Sequence, residues 1–89
     1  MSLTPKMRQQ LKAKAHKLKP IVMIGSKGLT ENIHLEIDRA LTDHELIKIR
    51  IQGEDRAVRE ELLNEIIQIS RAEKVQLVGG VGTIYRANE

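Results

Sequence analysis

The sequence contains no cysteine, tryptophan or phenylalanine, and its only aromatic residue is Tyr85. Without cysteine the chain has no disulfide, thiolate metal site or thiol nucleophile, as is typical of proteins in a reducing cytosol. The scarcity of aromatic residues argues against modules that stack successive bases on a sheet rich in aromatic side chains. No apolar run reaches the roughly 18 residues that a membrane-spanning helix needs. We therefore expect a soluble, cytoplasmic protein with no membrane partner.

Aliphatic residues are plentiful, since Leu, Ile and Val occupy 26 of the 89 positions. This fraction is well above the level at which a charged chain stays disordered, so a hydrophobic core is expected. A chain of this length buries about 60 to 65% of its unfolded surface, which is enough for one compact domain. We expect residues 1–89 to form a single domain and the protein to be a monomer.

Positive charge is concentrated at the start of the chain. Residues 1–28 contain no Asp or Glu, whereas residues 29–89 contain eight basic and twelve acidic residues. A cationic segment raises the local concentration of a polyanion, although a basic helix that is merely solvated explains the pattern equally well. The basic residues of the first segment are Lys6, Arg8, Lys12, Lys14, Lys17, Lys19 and Lys27.

The first helix is predicted to begin at Thr4-Pro5, with Thr as the N-cap and Pro at the first helical position. Apolar residues then recur every three to four positions as far as Leu18, before Pro20 breaks the helix. This stripe should pack inward and leave the cationic side chains on the outer face. Its members are Leu3, Met7, Leu11, Ala15 and Leu18.

Two strands and a second helix are predicted in the middle of the chain. Residues 21–24 form an apolar run, typical of a strand covered on both faces. Thr30 can cap a helix, and the apolar side chains of residues 44–52 alternate as in a strand. The predicted buried side of the helix carries Ile33, Ile37, Ala40 and Leu41. In the second strand Ile47, Ile49 and Ile51 point one way and Leu46, Lys48 and Arg50 the other.

A third helix and a hairpin complete the predicted order α-β-α-β-α-β-β. Asp55 begins the helix, and Gly79-Gly80 joins short strands at residues 75–78 and 81–86. Strand-helix-strand units give parallel strands and the hairpin adds an antiparallel one, so we expect an α/β fold with a mixed sheet. The inward stripe of the third helix is predicted to be Val58, Leu62, Ile66 and Ile69, widened by Leu63 and Ile67.

The turn Gly25-Ser26-Lys27-Gly28 lies between a predicted strand and a predicted helix. Backbone N–H groups and the helix dipole at such a junction favour an anion such as phosphate. Glycine tolerates positive φ and allows a sugar-phosphate backbone to come close, while Lys27 supplies charge. Glycines in such a connection often serve turn geometry alone, so the motif is a candidate RNA-binding loop rather than a signature.

Lys48, Arg50 and Arg86 could extend the positive surface across the sheet. For Arg86, at the end of the last strand, the alternative explanation is an edge strand protected by charge against pairing with another chain. We regard the first helix and the glycine loop as the better candidates.

No constellation of catalytic or metal-binding residues is evident. His16, His34 and His44 lie on separate predicted elements without metal-ligand spacing, and the serines lack a local base. The glycine turn is neither a P-loop nor a dinucleotide fingerprint. We expect a protein that is not an enzyme and that has no cofactor, no metal and no small-molecule substrate.

Three segments together resemble a known family. They are residues 19–31, which read KPIVMIGSKGLTE, residues 44–50, which read HELIKIR, and residues 84–86, which read IYR. In this order they are similar to the CRM domain, named for chloroplast RNA splicing and ribosome maturation, and above all to its stand-alone bacterial YhbY-type members. Gly80 and Gly82 depart from the usual pattern, where bulkier or polar residues are common.

The resemblance implies a two-layer fold similar to the C-terminal domain of bacterial translation initiation factor three. Its mixed four-stranded sheet would have the order 1-2-4-3, with the fourth strand antiparallel to the rest. Positions 25 to 28 would correspond to the family's GxxG loop. Because the first strand is more apolar than an edge strand needs, we also expect the first helix to cover its open face.

The resemblance further implies an RNA-binding protein that associates with ribosomal RNA in precursors of the large ribosomal subunit and acts as an assembly factor. Two alternatives from other classes are a DNA-binding or nucleoid module and an enzyme that uses the glycine loop as a phosphate site. Preference for duplex DNA over structured RNA would favour the first alternative. Turnover of a nucleotide or phosphoester would favour the second.

Overall fold

A computed structural model describes residues 3–53 and 55–88, and it has the predicted order of elements. The three helices and four strands alternate as expected for an α/β fold with a terminal hairpin. Their bounds are α1 Pro5–Ala15, β1 Val22–Ile24, α2 Glu31–His44, β2 Leu46–Ile51, α3 Arg56–Ser70, β3 Glu73–Val78 and β4 Val81–Tyr85.

Each helix begins at the capping residue predicted from the sequence. The Thr4 Oγ1 accepts a hydrogen bond from the backbone N–H of Met7 at 3.1 Å, and Pro5 occupies the first turn. Thr30 caps α2 and Asp55 caps α3 in the same manner. These side chains satisfy N–H groups that have no partner inside the helix, which defines where each helix starts.

The four strands form one mixed sheet in the order β1-β2-β4-β3. Strand β1 runs parallel to β2, and β4 is antiparallel to both of its neighbours. The expected strand order and direction are therefore confirmed. Because β4 lies inside the sheet, the edge-strand explanation for Arg86 is wrong.

One face of the sheet is covered by α2 and α3. Ile47, Ile49 and Ile51 point to this face as predicted, and each is at most 2% exposed. The buried side of α2 is centred on Ile37 and Leu41, also as predicted. The members of this core are Val22, Ile24, Ile37, Leu41, Ile47, Ile49, Ile51, Leu63, Ile66, Ala72 and Ile84.

The inward side of α3 differs from the predicted stripe. Val58 is 45% exposed and Ile69 is 56% exposed, whereas Leu63, Ile66 and Ser70 are buried. The apolar residues of α3 cover a broad part of the helix surface, so the sequence alone does not determine which of them face the core. The packing of the helix against the sheet decides this. In this structure the residues of α3 that face the core are centred on Leu63 and Ile66.

Helix α1 packs on the opposite face of the sheet, where it adds a partial third layer. Leu3, Leu11 and Ala15 form a second core with Leu46, Val75 and the half-buried Tyr85. The helix ends at Ala15 rather than near Leu18, because the chain turns there and the Leu18 N–H donates to the Ala15 carbonyl.

The outer parts of the predicted α1 stripe and the first strand are exposed. Met7 is 36% exposed and Leu18 is 40% exposed. In and beside β1, Met23 is 64% exposed and Ile21 is 49% exposed. The expectation that both faces of β1 are covered, and that α1 covers the open one, is wrong because α1 packs against Leu46 and Val75 instead.

Gly82 lies in β4 directly beneath α3. A Cβ at this position would come within 2.9 Å of the Leu63 Cδ1. Leu63 is fully buried, so its side chain would have to shift against the residues packed around it. The departure from the family pattern at Gly82 therefore has a packing explanation.

We expect Gly82→Ala to lower the free energy of unfolding by about 1–3 kcal/mol, because it overpacks the core. Chemical denaturation followed by circular dichroism measures the change. Gly25→Ala is the matched control, because the added Cβ at Gly25 would meet the Gln52 Oε1 at 3.7 Å, an ordinary contact. An unchanged denaturation midpoint for Gly82→Ala would show that β4 and α3 separate easily.

Candidate nucleic-acid interface

The glycine loop is a tight turn that follows β1. The Gly28 N–H donates to the Gly25 carbonyl at 3.0 Å, which closes the turn and leaves Ser26 and Lys27 exposed at its tip. Gly28 has φ +71°, a conformation that other residues rarely adopt. The turn therefore presents one hydroxyl and one ammonium group at the end of the sheet.

The fold requires glycine at only one end of this turn. Gly28 needs its positive φ, but Gly25 is not among the glycines with positive φ. A Cβ on Gly25 would make only an ordinary contact with Gln52. The structure thus contains no intramolecular reason for the absence of a side chain at Gly25.

The start of α2 is less available to an anion than the sequence indicated. The Thr30 Oγ1 accepts from the Ile33 N–H at 3.2 Å, and Glu31 places a carboxylate in the first turn. Both groups compensate the partial positive charge of a helix N-terminus. The loop tip at Ser26 and Lys27, rather than the first turn of α2, is the remaining position for a phosphate.

Lys48 and Arg50 lie on the face of β2 that α2 and α3 do not cover. Their side chains share this face because they are two residues apart in a strand, about 7 Å along it. Arg50 pairs in register with Met23 of β1 and with Val81 of β4. Arg50 is exposed and Lys48 is half-buried. The sheet thus carries two cations on the face that α1 covers only in part, which we call the open face.

The glycine loop adjoins the Arg50 end of β2. The Gln52 N–H donates to the Ile24 carbonyl at 3.0 Å, so the residue before the loop is bonded to the residue that follows β2. At the other end of β2, Lys48 lines a cavity together with Lys14 and Lys19. We call these five residues, Lys14, Lys19, Lys48, Arg50 and Lys27, the basic strip.

The remaining cations of the first segment lie on or just after α1. Arg8 and Lys12 are half-buried, and Lys6 and Lys17 are exposed. The ion pairs of Arg56 with Glu60 and of Arg86 with Asp38 involve neither these residues nor those of the basic strip. Within the part of the chain that the structure describes, the α1 cations and the basic strip are accordingly free of intramolecular ion pairs.

Arg86 is separated from the other predicted site residues. Its guanidinium donates to the Asp38 carboxylate at 2.8 Å and to the Ser70 carbonyl at 2.9 Å. It also donates to the Asp38 carbonyl and to the Thr42 Oγ1. The side chain is only 21% exposed and joins α2 to the end of α3. Its hydrogen-bonding capacity is therefore used within the fold.

We expect Arg86→Ala to destabilise the protein and to leave the RNA affinity of the folded fraction unchanged. Loss of hydrogen bonds that involve a charged group should lower the free energy of unfolding by about 1.5–3 kcal/mol. Arg56→Ala is the control, since the Arg56 side chain is 73% exposed and pairs only with Glu60; its effect should stay within about 0.5 kcal/mol. A large loss of RNA affinity at full folding would instead place Arg86 in the interface.

Residues 3–53 and 55–88 contain no group of three or more His, Cys, Asp or Glu side chains that could hold a metal ion. His16 caps the end of α1, while His34 and His44 lie at opposite ends of α2. Within the same residues, no helix combines the length and apolar character that crossing a membrane requires.

Sequence reasoning did not identify the cavity between α1 and the sheet. It has a volume of about 500 Å³, and its wall includes Tyr85, Leu18 and Ile21 beside the lysines of the basic strip. The hydrophobic pattern of the sequence predicts Leu18 as part of the inward stripe of the first helix, and Ile21 and Tyr85 as strand residues. The only signal that could have indicated the cavity is Tyr85, the single aromatic residue of the chain.

Comparison with known proteins identifies the family. The sequence profile of the CRS1/YhbY (CRM) domain matches residues 3–86. An RNA-binding protein of Haemophilus influenzae is 42% identical over 88 residues, covering 99% of this chain and 89% of that protein. A Pseudomonas aeruginosa protein, named a probable RNA-binding protein, is 41% identical over 88 residues, covering 99% of this chain and 85% of its own length.

A solved structure shows the same fold. The solution structure of a Staphylococcus aureus protein, described as a candidate RNA-binding protein, matches with a TM-score of 0.87 at 34% identity. The match covers 98% of this chain and 91% of that one. Profile, relatives and fold agree with the resemblance of the three sequence segments, and the chain belongs to the CRS1/YhbY (CRM) domain family.

Proposed function

We propose that this protein binds structured RNA by contacting its phosphate backbone with the basic strip, the glycine loop and the outer face of α1. The observation that carries the proposal is the position of Lys48 and Arg50. They lie on the open sheet face and connect the cavity-lining lysines, Lys14 and Lys19, with the loop. A row of cations without intramolecular ion pairs is suited to a polyanionic backbone.

The chemistry of this surface favours backbone contacts over recognition of many bases. Lysine and arginine side chains position a protein on phosphates, whereas sequence is read at base edges or by stacking on aromatic rings. The chain has one aromatic residue, Tyr85. Binding should therefore depend on RNA shape and salt more than on sequence. Nothing in this mode of binding requires a cofactor or a small-molecule substrate.

We further propose that the RNA is ribosomal and that the protein is an assembly factor for the large ribosomal subunit. The relatives from Haemophilus influenzae and Pseudomonas aeruginosa are named as RNA-binding proteins, which supports RNA over DNA as the partner. The CRM resemblance supports the ribosomal role. The proposed activity is stoichiometric binding that shapes ribosomal RNA, not catalysis.

Sucrose-gradient sedimentation of cell extracts tests the ribosomal assignment. At low salt we expect the protein to migrate with large-subunit particles or their precursors, and to be released when salt is raised, because cationic contacts to phosphate weaken. A protein found only at the top of the gradient at low salt would contradict the ribosomal role. Purified protein that prefers duplex DNA to structured RNA at equal salt would contradict RNA as the partner.

A single substitution tests whether the glycine loop approaches RNA closely. Because the fold has room for a Cβ at Gly25, Gly25→Ala should leave the melting temperature nearly unchanged. RNA affinity should nevertheless fall by roughly tenfold, since a methyl group would hold a phosphate away from the turn. Fluorescence anisotropy with a labelled RNA hairpin measures the affinity. Equal affinity of the variant and the parent would show that the turn does not touch RNA at this position.

A further inference from the structure

We propose that the cavity between α1 and the sheet binds one unpaired nucleotide of the bound RNA, with its base against Tyr85. This inference rests on the proposed RNA-binding function and assigns it a second contact, distinct from the glycine loop. The cavity volume of about 500 Å³ falls within the range of about 300–1,000 Å³ that is usual for pockets that bind small organic groups.

The wall of the cavity combines an apolar surface with a cationic rim. Tyr85, Leu18 and Ile21 supply apolar and aromatic surface, and Lys14 and Lys48 lie beside them. A nucleotide has the complementary distribution, with a flat base and an anionic phosphate. A base stacks on an aromatic face, and an ammonium group pairs with a phosphate.

The charge of the rim favours an anionic occupant. Lys14, Lys19 and Lys48 all line the cavity, whereas Glu45 is the single carboxylate among the described residues that line it. The Glu45 Oε2 already accepts a hydrogen bond from the Asn88 N–H at 2.7 Å. The backbone around Glu45 is also held in place, because its N–H donates to the Leu41 carbonyl and its carbonyl accepts from the Arg86 N–H. The lysines thus outnumber a carboxylate that is fixed in one position.

The cavity is continuous with the proposed RNA path. Lys48 belongs both to the cavity wall and to the row that leads through Arg50 toward the glycine loop. Ile21 lies four residues before Gly25, which places the cavity about 13 Å from the loop along an extended strand. An RNA backbone that follows the strip from Lys27 to Lys48 would bring a splayed-out nucleotide to the mouth of the cavity.

The wall of the cavity offers a base one large aromatic face. Tyr85 is the only Phe, Trp or Tyr residue of the chain, and His44 is the other ring-bearing residue that lines the cavity. Tyr85 is itself held by packing with Leu46 and Val75 in the second core. The ring is therefore a fixed surface, and a bulged or flipped nucleotide in an otherwise paired RNA is the occupant that matches the geometry.

Three RNA hairpins of the same stem test the proposal with the full chain. One is fully paired, one carries a single bulged uridine, and one carries an abasic residue at the bulge. We expect the parent protein to bind the uridine bulge about tenfold more tightly than the abasic bulge, as is typical for stacking of one base on an aromatic ring. Equal affinity for the two bulged hairpins would overturn the proposal.

A variant that lacks the aromatic ring provides a second test. Tyr85→Leu should abolish the preference for the uridine bulge and leave binding of the fully paired hairpin by the folded protein unchanged. Tyr85→Phe is the matched control, because it keeps the ring on which the base would stack; it should bind all three hairpins like the parent. If folded Tyr85→Leu keeps the preference, the base binds elsewhere and the proposal is wrong.

Fluorine NMR distinguishes the absence of a nucleotide site at Tyr85 from the absence of RNA binding altogether. Protein labelled with fluorotyrosine carries one label, at Tyr85. Its signal should shift on addition of the uridine-bulge hairpin and stay nearly unchanged with the abasic hairpin. If the uridine-bulge hairpin binds tightly but leaves the fluorotyrosine signal unchanged, the nucleotide site is wrong and the proposed RNA-binding function still stands. A parent protein that binds none of the three hairpins would contradict the proposed function as well.

Discussion

Replacing both Ser26 and Lys27 with Asp is expected to lower RNA affinity by about a hundredfold or more, a loss of several kcal/mol. Both side chains are exposed at the tip of the glycine loop. The substitutions remove one cation and place two carboxylates where the structure leaves a position for phosphate. Repulsion between these carboxylates and the RNA backbone should oppose binding wherever that phosphate is close.

The fold should survive this double substitution. Asp is well tolerated in tight turns, and the hydrogen bond that closes this turn joins the backbones of Gly25 and Gly28. The melting temperature should therefore barely change. Arg39→Asp combined with Gln68→Asp is a control with the same change in net charge, on exposed positions of α2 and α3. If the loop variant binds RNA as well as the parent, the loop is only a turn, and α1 with the rest of the basic strip remains the candidate site.

A steep dependence of RNA affinity on salt is the second large effect that we expect. The basic strip and α1 together can neutralise about four to six phosphates, so affinity should fall at least about a hundredfold between about 50 and 200 mM salt. The cause is release of counterions from the RNA when cations of the protein replace them. Affinity that stays constant over this range would remove the electrostatic mechanism.

Single cations on and after α1 should contribute separately to this dependence. Lys12→Ala and Lys17→Ala should each lower the slope of log affinity against log salt by about one unit, if each contacts one phosphate. The loss should be similar for different RNA sequences, because a phosphate contact carries no sequence information. Unchanged slopes for both variants would exclude Lys12 and Lys17 from the interface.

Much of the fold could be predicted because local patterns and tertiary packing agree. Thr4, Thr30 and Asp55 were predicted as N-caps, and each side chain accepts the expected hydrogen bond. The alternation of Ile47, Ile49 and Ile51 with Leu46, Lys48 and Arg50 correctly separated the two faces of β2. The family resemblance supplied the strand order, which such patterns do not determine.

The errors arose where the result depends on contacts between distant parts of the chain. Periodicity could not show that α1 packs on Leu46 and Val75 and leaves Met23 exposed. It also gave no indication that Arg86 would be bound by Asp38 and Ser70 rather than face solvent. Both the position of α1 and the contacts of Arg86 depend on how helices and strands that are far apart in the sequence pack together.

The candidate site was predictable as a list of residues but not as a surface. Lys14, Lys19 and Lys48 are up to 34 positions apart in sequence, yet they line the same cavity. The charge of the first segment identified the α1 cations, and the glycine motif identified the loop. Only the parallel pairing of β1 with β2 brings the loop next to Arg50.

The most direct test of the central claim is NMR chemical-shift mapping of the isotope-labelled full chain during titration with a structured RNA hairpin. We expect the largest shifts at Ser26 and Lys27, at Lys48 and Arg50, and along the outer face of α1. The exposed surfaces of α2 and α3, reported by residues such as Leu35 and Gln68, should change little. Shifts centred on α2 and α3, with the basic strip unaffected, would contradict the account.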